Sequence, residues 1–258
     1  MITLRFFMIA VTVAYFAAGL ALYLFQDRFL YFQTPEVERD DAEALFLDRD
    51  GIRIKVWKVT SGNDKAIIYF GGNAENVANS IPNFKHALAG YDLYLMNYRG
   101  FGGSGGKPRE KDLYGDAQAV YELVDQDYDN ISVIGRSLGS GVATYIAANE
   151  EIEKLALITP YDSIQRIAQK KFPVFPVALF LKDKYDSVSR APQISAETLI
   201  MIAENDGVIT RDHSERLVSA VTMIDPKVIT VKDASHLSLS NTPEFWSAVD
   251  GFFRMPAN

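Results

Sequence analysis

The apolar positions along the chain fall into two regimes. From Phe6 to Phe25 they are nearly continuous, FFMIAVTVAYFAAGLALYLF, with no charged residue. At about 1.5 Å per residue, a helix of roughly 20 residues spans about 30 Å, the hydrocarbon thickness of a bilayer. Arg5 precedes the run. Gln26, Asp27 and Arg28 follow it, and then Phe29, Tyr31 and Phe32, an aromatic cluster suited to a membrane interface. A cleaved signal peptide has a shorter apolar core, although Gly19-Leu20-Ala21 resembles a cleavage site. A buried helix of this length would carry some polar face. Length and flanks favour an uncleaved single-pass anchor, with residues 1–35 as anchor and juxtamembrane segment. Arg5 on one side and Arg28 and Arg39 on the other nearly balance the positive-inside rule, so the side of the membrane stays open. A short tail with the long domain translocated is the preferred arrangement.

Beyond Pro35 an acidic stretch, Glu36 to Glu43, reads as a solvated linker or loop. Short apolar runs then alternate with helix-period segments. Ala44–Leu47 and Ile52–Val59 flank Asp50-Gly51, a hairpin signal. Strands are expected at 66–70, 92–98, 131–134, 155–158, 198–202 and 228–231. Helices are expected at 77–88, 113–124, 214–221 and 243–253, with another starting near Gly141. This alternation predicts an α/β domain over residues 36–258, with a mostly parallel eight-stranded sheet flanked by helices and an antiparallel edge from the first hairpin. One insertion breaks the rhythm. Residues 163–190 carry Phe172-Pro173-Val174-Phe175-Pro176-Val177 and Ala178-Leu179-Phe180-Leu181, flanked by Lys170, Lys171, Lys182 and Lys184. It reads either as a small cap over a pocket or as a surface helical insertion.

Composition narrows the chemistry. The chain has 258 residues, 48% of them hydrophobic and 23% charged, which argues against disorder and against a multi-span membrane protein. A domain of this size buries enough surface to need no staple. Cysteine is absent, which excludes disulfides, thiolate metal sites and a cysteine nucleophile. A net charge of −7 without basic tracts argues against a nucleic-acid partner. The only histidines are His86, His213 and His236.

Gly135-Arg136-Ser137-Leu138-Gly139 fits G-x-S-x-G. The pattern alone is common, but here it directly follows a predicted strand and precedes a predicted helix, the context of a nucleophile elbow. The sharp turn favours small flanking residues, and the helix N-terminus lies where an oxyanion would develop. A serine hydroxyl needs a base. His236, between the last predicted strand and the last helix, opens at the strand carboxyl ends together with Ser137. His86 falls in a helical segment, and His213 at a helix start, where capping or exposure is expected. The orienting acid should lie between Ser137 and His236 in sequence. Asp206, in Glu204-Asn205-Asp206-Gly207, is the choice, although an Asp-Gly turn explains it as well. Glu204 is the alternative, and Asp225 and Asp233 are less well placed. The loop Gly71-Gly72-Asn73-Ala74-Glu75-Asn76 after the third strand nominates the Asn73 N–H as one oxyanion donor and the Leu138 N–H as the other. A plain glycine turn that caps the next helix is the competing explanation. Gly100 to Gly105 satisfies G-x-G-x-x-G, but no helix opens within it and it follows a later strand, so a wide turn is expected rather than a dinucleotide site.

Taken together these motifs resemble the α/β-hydrolase superfamily, and within it the membrane-anchored group related to the yeast bud-emergence protein, which includes animal protein depalmitoylases. Gln26-Asp27-Arg28-Phe29-Leu30-Tyr31-Phe32 ending in Pro35 is similar to that group's post-anchor segment. Gly72-Asn73-Ala74 with Asn76 resembles its oxyanion loop, and Asn97-Tyr98-Arg99-Gly100-Phe101-Gly102 with Ser104, Gly106 and Pro108 its tyrosine–arginine–glycine turn. Gly135 to Gly141 resembles its nucleophile segment, and Pro160-Tyr161-Asp162-Ser163 its post-strand turn. Asp206 and His236 fall where its acid and base fall. Two positions depart from the pattern: Gly71 stands where the family usually has histidine, and Glu75 where it often has glycine.

The resemblance and the residues imply serine-dependent acyl transfer to water. An ester or thioester of an acylated small molecule, lipid or protein would be the substrate, with no metal or organic cofactor. A prolyl-oligopeptidase-like peptidase shares the fold and residue order, but this chain has no propeller. A non-catalytic, membrane-tethered binding module is the reading from another class.

Overall fold

The computed structural model describes residues 2–254. The apolar N-terminal run forms one helix, α1 (Ile2–Leu30). The hairpin follows as β1 (Glu43–Arg49) and β2 (Ile52–Val59), turning through Asp50 and Gly51 at φ 56° and 72°. Two consecutive left-handed residues give the hairpin turn whose twist matches its strands. Next come β3 (Lys65–Phe70), a 3₁₀ turn at Val77–Ser80, α2 (Ile81–Ala87), β4 (Asp92–Met96), α3 (Glu110–Asp125), β5 (Asn130–Arg136) and α4 (Leu138–Asn149). Then β6 (Lys154–Ile158) leads into the insertion, where α5 (Ile164–Lys171), α6 (Val177–Phe180) and α7 (Ser187–Arg190) are all short. The chain closes with β7 (Glu197–Ala203), α8 (Arg211–Ala220), β8 (Lys227–Val231) and α9 (Pro243–Arg254).

The eight strands form one sheet in the order β1-β2-β4-β3-β5-β6-β7-β8. The β1–β2 and β2–β4 pairs are antiparallel and the remaining pairs parallel, as the alternating pattern predicts. Side-chain alternation divides the core in two. Along β3, Ala66, Ile68 and Phe70 join Leu113, Val120, Val142, Ile146 and Leu217 of α3, α4 and α8. Ile67 and Tyr69 face the other way, with Phe84, Phe245, Val249 and Phe252 of α2 and α9. Both sheet faces are covered, which is why the central strands read as continuous apolar runs.

Two boundaries differ from the sequence expectation. The helix expected over 77–88 is split, because Pro82 sits in the first turn of α2 and the preceding turn is closed separately by the Asn76 side chain accepting from Ala78 N. The strand expected to reach Tyr98 stops at Met96, where Asn97 N–H turns to Lys55 O at 3.0 Å. The acidic stretch after Pro35 is largely exposed but pinned: Glu36 pairs with Lys55 Nζ at 2.8 Å, and Arg39 bridges Asp41 and Ala78 O.

Candidate active site

The carboxyl end of β5 and the start of α4 are joined by a single residue, Ser137, at φ 49° and ψ −116°. This is a conformation that L-residues avoid, held by its surroundings. Ser137 N–H donates to Ile158 O at 2.9 Å, and the Ser140 hydroxyl and N–H both donate to Ser137 O. The glycines of the motif exist for close approach. A Cβ at Gly139 would stand 2.0 Å from Phe70 O, and one at Gly135 would stand 2.5 Å from Ala143 Cβ and from Gly139 O. Helix α4 therefore lies against β3 and β5 at backbone distance, with its N-terminus beneath Ser137.

Two loops from the same sheet edge meet the serine. His236, in the loop after β8, brings Nε2 to 2.9 Å from Ser137 Oγ. Its Nδ1 lies 2.7 Å from Asp206 Oδ2. The other carboxylate oxygen, Asp206 Oδ1, accepts the N–H groups of Val208 at 2.8 Å and Ile209 at 2.7 Å. The Asp-Gly turn and the carboxylate that meets His236 are thus one feature: the turn's N–H groups hold Oδ1 and leave Oδ2 to the histidine. The two loops are stitched together: Asn205 N–H donates to Ala234 O, and Glu204 accepts from Asp233 N at 2.9 Å. Glu204, the alternative acid, braces the histidine loop from outside, and Asp225 and Asp233 are exposed. His236 and Asp206 are both buried, while Ser137 keeps partial exposure.

The loop after β3 passes directly beside Ser137, since a Cβ on Gly72 would lie 3.5 Å from Ser137 Cβ. Glu75 organises it. One carboxylate oxygen accepts Gly72 N–H at 2.7 Å and pairs with Arg136 at 3.6 Å. The other accepts the hydroxyls of Tyr69 at 2.7 Å and Ser80 at 2.8 Å. From behind, Tyr98 OH donates to Gly71 O at 2.8 Å. Burial, reinforced by the nearby Glu75 carboxylate, holds Tyr69 and Tyr98 well above the ordinary tyrosine range, so both remain protonated donors. The Asn73 side-chain oxygen accepts Phe32 N–H at 2.8 Å and Ala74 N–H at 3.1 Å. Leu138 N–H is the first of α4 and has no partner within the helix.

The departures from the family pattern now have a physical account. A Cβ at Gly71 would stand 2.6 Å from Val77 Cγ1, which leaves no room for a histidine side chain in this packing. Glu75, unremarkable in sequence except as a departure, is the residue to which four donors converge. The tyrosine–arginine–glycine turn is structural: Arg99 makes a bidentate pair with buried Asp116 of α3 at 2.7 and 2.8 Å. The G-x-G-x-x-G segment is a wide turn, and α3 opens only at Glu110.

His213 differs from expectation. It is buried, not a cap or an exposed residue, and its Nδ1 is 2.7 Å from Asp162 Oδ1, with Arg216 donating to the other oxygen at 3.0 Å. Its partner comes from the end of β6, a proximity that local sequence does not encode. His86 is exposed on α2. Among the described residues no cluster of three or more His, Asp or Glu side chains could hold a metal ion.

A serine at a strand–helix elbow on a mostly parallel, doubly covered sheet, with acid and histidine on later strand ends, defines an α/β-hydrolase architecture. The family described as alpha/beta hydrolase fold matches residues 65–176 of this chain. The chain is similar over most of its length to the uncharacterized protein Rv2307c of Mycobacterium tuberculosis, at 29% identity over 251 residues, covering 90% of this chain and 87% of that one. The uncharacterized membrane protein YNL320W of Saccharomyces cerevisiae is 24% identical over 254 residues, covering 90% and 89%. In fold it is similar to the Pyrococcus furiosus esterase Pf2001, with a TM-score of 0.70 at 19% identity, covering 88% of this chain and 100% of that one.

Proposed function

We propose that this chain is a membrane-anchored serine hydrolase that transfers the acyl group of an ester or thioester to water. The observation that carries the reading is the unbroken relay from Asp206 through His236 to Ser137, at 2.7 and 2.9 Å, on a serine in a left-handed turn. His236 takes the Ser137 proton as Oγ attacks the carbonyl carbon, and Asp206 holds the imidazole and stabilises its cation. Gly72 N–H is taken by Glu75, so the next N–H of the loop, Asn73, pairs with Leu138 N–H as oxyanion donor. His236 then protonates the leaving alcohol or thiol, and water, activated by the same histidine, releases the acyl group from Ser137.

The anchor is the apolar helix α1, with a mean hydropathy of 2.1 and none of its span buried in the domain. It delivers the membrane surface to the site. Phe32 is two residues beyond α1, at most about 7 Å of extended chain, and its N–H reaches the Asn73 side chain. Exposed Phe32, tied to the Asn73 loop, and exposed Val208 and Leu237, in the loops that carry Asp206 and His236, give the edge of the site apolar side chains. These favour a lipophilic acyl group. Residues 1–35 are accordingly the anchor and juxtamembrane segment, and residues 36–258 the hydrolase domain, with its cap at about 163–190.

Turnover of a series of p-nitrophenyl esters and acyl thioesters, beside a matched peptide amide, tests the reading. Rates should rise from acetyl towards medium and long chains, with the amide untouched. A uniform preference for acetyl would contradict the lipophilic acyl group, and amide turnover equal to ester turnover would favour the peptidase reading.

A further inference from the structure

The cap does not stand apart from the apolar helix; it is packed along it. The Tyr15 ring stacks on Phe175 at 5.0 Å between centroids and 9° between planes, and Tyr15 OH donates to Val174 O at 2.8 Å. One turn on, a Cβ at Gly19 would stand 3.4 Å from the Phe175 ring. A further turn on, Tyr23 meets Phe180 edge to face, and Lys182 Nζ sits 4.5 Å above the Tyr23 ring. Gln26 closes the stripe, donating to Phe180 O and accepting Lys182 N–H at 2.8 Å. Positions 15, 19, 23 and 26 share one helix face. Their 11-residue separation corresponds to about 16 Å along the axis, half of a hydrocarbon core.

We propose that the cap tip, residues 172–181, is a second membrane-embedded element whose occupant is bilayer lipid. The proposal rests on the reading of α1 as a membrane span. Three further observations support it. Val174, Leu179 and Phe180 are exposed apolar side chains continuous with the exposed apolar surface of α1. The tip's backbone is largely satisfied within the protein, as an apolar solvent requires. Pro173 and Pro176 carry no N–H; Phe175 N–H donates to Phe172 O, and Leu179 and Leu181 N–H to Pro176 O and Val177 O. Gln169 meets much of the rest: its amide lies 3.0 to 3.5 Å from Phe172 O, Pro173 O and Phe175 O, while its oxygen accepts Val177 N–H at 3.2 Å. Finally, exposed Lys171 and Lys182 bracket the tip, where long cationic side chains reach the headgroup layer.

Because the chain has no cysteine, single labels report cleanly. The full chain is reconstituted in phosphatidylcholine–phosphatidylserine vesicles with an environment-sensitive fluorophore on Leu179→Cys or Val174→Cys in the cap. Val13→Cys in α1 and Met223→Cys at the far end of the sheet serve as references. All four side chains are exposed, so the labels disturb little packing, and retained fluorophosphonate reactivity of each variant checks its fold. Doxyl lipids should quench labels at 179 and 174 about as strongly as at 13, and roughly fivefold more than at 223, because the quencher resides in the hydrocarbon core. Aqueous iodide should show the reverse order. Iodide access at 179 and 174 matching 223, with 13 still quenched by lipid, would overturn the proposal and leave the anchor standing. Protection of 179 and 174 from both quenchers would also overturn it, in favour of a protein partner. Lipid-free behaviour at 13 as well would overturn the anchor and the cap together.

Discussion

At the scale of single residues, the site depends on one side chain that the reaction itself does not use. Glu75 collects the Gly72 N–H, two hydroxyls and Arg136, and so braces the next peptide, the proposed oxyanion donor at Asn73. Removing an oxyanion donor outright costs about 10²–10³ in kcat; loosening the loop that carries one should cost part of that. Glu75→Ala should therefore lower kcat by roughly 10- to 100-fold with little change in KM, and Glu75→Gln, which keeps one acceptor oxygen, should recover part of the loss. Steady-state kinetics on a short ester decide it, and a Glu75→Ala enzyme with wild-type kcat would show that the loop holds itself. The sequence offered no positive signal for this role. G-x-S-x-G in its strand–helix setting made Ser137 legible, and chain order made His236 and Asp206 legible, because those rules concern local pattern and sequence order. Glu75 and His213 were not legible, because what defines them includes a partner brought from elsewhere: Arg136 at the end of β5, and Asp162 after β6.

At the scale of elements, periodicity identified the strands and most helices because each buries a face with its own repeat, and these faces build the two cores on either side of the sheet. Boundaries shifted where local chemistry overrode the pattern: the Asn76 side-chain bond and Pro82 before and in α2, and the Asn97 bond after β4. A tight backbone joint lies between α4 and β3, where a Cβ at Gly139 would stand 2.0 Å from Phe70 O. Gly139→Ala should destabilise the domain by about 3 kcal/mol or more, since backbone cannot yield as a flexible side chain does. Gly251→Ala is the control: it lies in α9 with open space around its Cβ position, and should be neutral or stabilising by up to about 1 kcal/mol. Urea denaturation of the two variants in detergent measures both; equal stability would mean that α4 can shift away from the sheet without cost.

For the whole molecule, the apolar helix α1, the segment that follows it and the edge that carries Ser137 form one assembly. Residues after α1 are woven into the site rather than left as a tether. Tyr31 is buried, with its hydroxyl 2.9 Å from both Asp183 and Tyr185 of the cap region. Gly102 N–H reaches Thr34 O, and Asn76 donates to Pro35 O. The apolar run of α1 was plain in the sequence, but its packing against a cap some 150 residues away was not, because nothing in either segment alone names the other. The Ser137 edge is thereby held next to the end of α1, and the proposed function stands or falls on whether Ser137 is a live nucleophile there. The direct test is fluorophosphonate labelling of membranes that carry the wild-type chain or Ser137→Ala. Covalent labelling of the wild type in the membrane fraction and none of the variant is expected. A folded wild type that resists both a bulky and a small probe, or a variant that labels equally, would contradict the proposed function.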